Sequence, residues 1–128
     1  MRYYFSKLLD RKFDDAIAHV TKALAARGFG VLTTIDVRDT MKNKLGVEMK
    51  PYTVLGACNP QFAWRALQAE NKVGTMLPCN VVVSEVRPGT VEVAAADPVA
   101  SMAAIENPAL ARVATEVRLL LREMVAGL

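Results

Sequence analysis

Residues Leu55–Val83 read LGACNPQFAWRALQAENKVGTMLPCNVVV, and the direction of the strand that closes this stretch decides the fold. An apolar strand at 52–57 runs into Cys58-Asn59-Pro60, a helix follows to about Glu70, and a second strand begins at Asn80, directly after Pro78-Cys79. Were the two strands parallel, the cysteines would lie at opposite ends of a sheet, about 20 Å apart. If they are antiparallel, residues 71–79 must bring the chain back to where the first strand ended. An extended segment of that length reaches about 30 Å, so it suffices. The antiparallel arrangement is favoured, and it gathers Cys58, Asn59, Pro60, Pro78, Cys79 and Asn80 at one end of the sheet.

Downstream, Arg87-Pro88-Gly89-Thr90 turns strand 80–86 back into strand 91–96, a hairpin that requires at least one antiparallel pair. Asp97-Pro98 opens a loop with one helical turn around Met102. Asn107-Pro108 then repeats the device at 59–60: an amide at the N-cap and proline at the first helical position, where a missing N–H costs nothing. The last helix carries Leu110, Val113, Val117, Leu120, Leu121 and Met124 on one face.

Upstream, Arg2–Leu9 reads as a strand. Phe13, Ile17, Val20 and Leu24 mark a helix that acids open and Arg27 closes, with Gly28 free to take a left-handed cap. FGVLTTI at 29–35 is a β-branched strand, and Asp36 caps a short helix that runs through Leu45 to Gly46. Five strands interleaved with helices predict an α+β fold: a two-layer sandwich with a mixed or mainly antiparallel sheet and the helices on one face. The uncovered face would expose Val, Ala and Thr side chains in a monomer, which predicts a homodimer paired sheet to sheet.

The chain has 128 residues, which predicts a single domain over 1–128 with one core. Hydrophobic residues make up 52% and charged residues 23%, a slight apolar excess that fits a buried self-association surface. The net charge of +3 is uneven, with residues 1–50 mildly basic, but no run forms a dense basic stripe and aromatics are only 6%, so nucleic-acid binding is not expected. No run is long and apolar enough for a signal peptide or a membrane span, which leaves a cytoplasmic location and reduced thiols as the expectation.

Gly28-Phe29-Gly30-Val31, Leu55-Gly56-Ala57-Cys58-Asn59-Pro60, Ala66-Leu67 and Leu77-Pro78-Cys79-Asn80 with Val81 and Val83 together resemble the bacterial family called domain of unknown function 302. The resemblance runs from the helix after Phe13 to the C-terminal helix. It implies a compact α+β domain that pairs as a homodimer, and it implies no activity.

The chemistry therefore has to be read from the residues. Cys58 and Cys79 form no CxxC motif of zinc-ribbon or thioredoxin type. Brought together beside the helix opened by Pro60, they predict one of two things: a small-ligand pocket, with an anion held by helix-start amides and by Asn59 and Asn80, or a thiol-dependent enzyme or redox site using Cys58 or Cys79. The plain alternatives are buried packing cysteines and an interaction module without a ligand. No cofactor and no structural metal is expected, because two thiols and His19 fall short of four zinc ligands, although Met76 or Met102 would suit Cu(I). His19 is read as a boundary residue. Ser6, Ser84 and Ser101 lack a nucleophile elbow, Gly28-Phe29-Gly30 starts no phosphate loop, and Arg38, Lys42, Lys44 and Lys50 form a solvated basic face.

Overall fold

The computed structural model describes residues 2–128. Five strands, β1 (Tyr4–Leu9), β2 (Gly30–Asp36), β3 (Tyr52–Cys58), β4 (Cys79–Arg87) and β5 (Thr90–Ala96), form one sheet in the order β1-β5-β4-β3-β2. Every neighbouring pair is antiparallel. The chain begins at one edge, crosses to the other through helix α1 (Phe13–Ala25), and returns strand by strand until β5 pairs with β1. Helix α2 (Val37–Leu45) links β2 to β3, α3 (Pro60–Ala69) and a 3-10 helix (Asn71–Met76) link β3 to β4, and α4 (Pro98–Ser101) precedes α5 (Pro108–Ala126). The result is an α+β sandwich.

Local chemistry explains most of these boundaries. Gly28 takes φ +83°, and the amide of Phe29 donates to Leu24 O, so α1 stops where a residue without Cβ permits a left-handed turn. Asp36 accepts from the amide of Asp39 at 2.9 Å and fixes the start of α2, which buries no residue at all. The segment 71–76 carries no amphipathic period, and it winds as a 3-10 helix held inward by Val73.

The core lies between one sheet face and the helices. Ala16, Val20 and Leu24 of α1 and Leu110, Val113, Ala114, Val117, Leu121, Met124 and Val125 of α5 meet Leu55, Val81, Val83, Val91, Val93 and Ala95 of the sheet. Each fully buried Leu or Val stabilises the fold by about 1.5–3 kcal/mol over its exposed state. The other face is uncovered by helices. Across it, strand register aligns Ser6, Ala94, Val82, Val54 and Ile35 in one row over all five strands. A neighbouring row runs Leu8, Glu92, Ser84 and Tyr52. Leu8 is 58% exposed and Ile35 49%, so this face is wet and largely apolar in the single chain. No helix among the described residues is long and apolar enough to cross a membrane.

Candidate functional site

Antiparallel pairing of β3 and β4 sets Ala57 opposite Cys79 and Gly56 opposite Asn80. The end of β3 and the start of β4 therefore share one end of the sheet, together with the Asp97-Pro98 turn that follows β5. Cys58, Asn59, Pro78 and Cys79 line a single cavity there, whose remaining walls include Phe29, Phe62, Leu77, Met102, Val113 and Val117. The cavity holds about 30 Å3, the order of one water's share of liquid volume. Its walls are almost wholly apolar, with no Lys, Arg, Asp, Glu or His among the lining residues.

Two of the expected site residues stand elsewhere. Asn80 is exposed and points to the uncovered face, where it lines a groove with Tyr4, Tyr52 and Val82. Period-2 alternation requires this once Cys79 and Val81 face the core. Pro60 is exposed at the first position of α3 and is not among the residues that line the cavity.

Asn59 occupies the N-cap position of α3, but its side chain makes no cap hydrogen bond. Its Nδ2 instead donates to Arg27 O at 3.4 Å. The α1–β2 turn passes so close that a Cβ on Gly28 would stand 2.9 Å from that nitrogen. The expectation of an amide cap is thus corrected: the neighbouring turn draws the amide away, and the first turn of α3 keeps amides without a side-chain partner. Gly56 marks a second close approach, since a Cβ there would overlap Thr33 Oγ1 and lie 2.8 Å from Pro78 Cγ.

Both cysteines are free and half-buried. Burial first, and the charge of Cys58 second, push the Cys79 thiol up to about 11. A helix start lowers a thiol's pKa, but here desolvation outweighs it, and Cys79 is protonated at neutral pH. An activated thiolate at Cys79, one form of the redox reading, therefore has no support from its surroundings. His19 sits on α1 away from the cavity, its Nε2 buried without a partner. Burial, then Arg11, Lys22 and Lys7, lower its pKa, so it is a neutral boundary residue.

Phe29, Phe62, Leu77, Val113 and Val117 carried no sequence signal as site residues. They come from four separate segments and read as ordinary core positions. Among the described residues no group of three or more His, Cys, Asp or Glu side chains is arranged to hold a metal ion.

The family model described as domain of unknown function DUF302 matches residues 5–128. A crystal structure described as that of the uncharacterized conserved protein DUF302 from Bacillus stearothermophilus superposes with a TM-score of 0.90 at 27% sequence identity, covering 98% of each chain. No curated protein matches.

Proposed function

We propose that this chain, which belongs to the DUF302 family, is a cytoplasmic homodimeric domain that binds a small ligand in the cavity between the Cys58-Asn59 and Pro78-Cys79 junctions. One observation carries the reading: two junctions separated by a helix and a 3-10 turn in sequence meet in the wall of one cavity beside an uncapped helix start. Apolar walls without a cationic side chain favour a soft or uncharged ligand over a hard anion.

Pairing of two copies through the uncovered sheet face accompanies this reading. The row from Ser6 to Ile35 would be buried against its twin, removing from water the apolar side chains that the helices leave open. A cytoplasmic setting keeps both thiols reduced.

The test is native mass spectrometry of protein purified without reductant, compared with the denatured mass of the same sample. A dimer with extra mass that disappears on denaturation is expected. A bare dimer removes the ligand, and a bare monomer removes both halves of the proposal.

A further inference from the structure

The uncovered sheet face carries a groove of about 390 Å3, within the range of about 300–1,000 Å3 usual for metabolite pockets. Strand register builds it in three rows. Tyr4 and Ala96, continued by Asn80, form the first; Ala94 and Val82 form the second; Glu92, Ser84 and Tyr52 form the third. Successive rows lie two residues apart along the strands, about 7 Å, so the outer rows are about 13 Å from one another. The middle row supplies a low apolar floor, and larger polar side chains stand at both ends.

The third row narrows the class of ligand. Glu92 is half-buried and is the only charged side chain lining the groove. No ion pair among the described residues involves it. Register sets Ser84 directly across from Glu92 and Tyr52 directly across from Ser84, so the three side chains follow one another on one face in steps of about 5 Å. Neither the Ser84 nor the Tyr52 hydroxyl takes part in a hydrogen bond among the described residues. An ammonium above Ser84 would donate to the carboxylate and the hydroxyl, and the neighbouring ring would attract it. One carboxylate and one hydroxyl are too few for Ca2+, which takes about six to eight oxygens. At the opposite end a cation is already in place, because the Arg2 guanidinium lies 5.4 Å from the centroid of the Tyr4 ring. There the exposed Asn80 amide offers a donor and an acceptor to an uncharged polar group.

We propose that this groove binds a small arylalkylamine, with its ammonium at Glu92 and Ser84 beside Tyr52, its ring over Val82 and Ala94, and a polar ring substituent at Asn80. Charge complementarity sets the direction: the one formal charge in the lining is negative and lies at the end away from Arg2. The inference goes beyond the cavity at the cysteine junctions and does not depend on it.

The experiment is calorimetric titration of the full chain with tyramine, which carries an ammonium, a ring and a phenol, and with 4-hydroxyphenylacetate, which puts a carboxylate in place of the amine. One saturable tyramine site per chain is expected, with no saturable binding of the acid. Glu92→Gln should weaken tyramine by about 10-fold or more. Tyr52→Leu should weaken it by about 3-fold, while Tyr52→Phe, which keeps the ring, binds like the parent. Circular dichroism checks that each variant is folded, and amide chemical shifts place the ligand, with the largest changes expected at 82–84 and 92–94. A signal that never saturates, equal binding of the acid, Glu92→Gln binding like the parent, or shifts centred on the cysteine junctions would each overturn the proposal. Sedimentation of the same samples reads pairing separately. A monomer that binds tyramine loses the pairing and keeps the groove; a dimer that does not bind it loses the groove and keeps the pairing.

Discussion

The chain contains two Asn-Pro helix starts that look alike in sequence and do different things. Asn107 accepts from the amides of Ala109 and Leu110, each at 3.1 Å, and its Nδ2 donates to Ala69 O at 2.7 Å. One side chain thus caps α5 and ties its start to the last residue of α3. Asn59 contributes a single 3.4 Å bond to Arg27 O and leaves the start of α3 uncapped. The dipeptide sets the helix boundary in both places, because proline at the first position and an extended residue before it are local requirements. What the amide then does depends on which backbone lies beside it. Where the neighbour is another helix end, the amide completes a structural joint; where it is the Gly28 turn, the helix start is left available beside two thiols.

The largest effect expected from this contrast is at Asn107. Asn107→Ala removes the cap and leaves Ala69 O without its donor, which costs about 3 kcal/mol of stability. In thermal unfolding that is a fall of about 10 °C for a chain of this size. A shift of a degree or two would show that α5 holds its own start through its buried face, and that the two Asn-Pro sites are equivalent after all.

High pH separates burial from the helix field at the other start. The Cys79 thiol rises from an ordinary value of 9.0 to about 11 in the fold, so between these values the unfolded chain ionises while the native one does not. Stability is therefore intact below pH 9 and declines as pH climbs toward 11, by about 2 kcal/mol for this group. Urea denaturation of the parent and of Cys79→Ala across this range measures it. A steeper loss in the parent is expected; parallel curves would mean that the uncapped start of α3 offsets desolvation after all.

Where the sequence was legible, the cause was local. Gly28, Gly46 and Gly89 all have positive φ, at the positions where a helix or hairpin had to turn. Asp36 caps α2 with an amide three residues on, and the apolar face of α5 follows its own period. The antiparallel closure of β4 on β3 followed from chain length and placed Cys58 near Cys79. What could not be read was non-local. Asn59 is diverted by a carbonyl 32 positions earlier in the chain. Asn80 leaves the cavity because its strand begins one residue sooner than the apolar run suggests, at Cys79, and alternation then sends it to the other face. The Cys79 thiol is governed by side chains of α3 and α5 that no motif links to it.

Gly28→Ala probes the turn that diverts Asn59. A side chain at φ +83° is strained, and its Cβ would press on Asn59 Nδ2, so the substitution costs about 1–2 kcal/mol. Denaturant midpoints measure that loss. An unchanged midpoint would mean that the turn has room to move away from the amide.

The smallest effect should come from Asn59→Ala itself. Its one long hydrogen bond is worth about 0.5 kcal/mol, several times less than the loss at Asn107. The double variant Gly28→Ala with Asn59→Ala then divides the cost at Gly28. Removing the amide relieves the contact but not the left-handed backbone, so the two changes should couple by about 0.5 kcal/mol and the remainder should persist. Strict additivity would mean that the turn and the amide do not touch in solution. Asn59 would then be free to swing back and cap α3, and the difference between the two helix starts would be one of occupancy rather than of architecture.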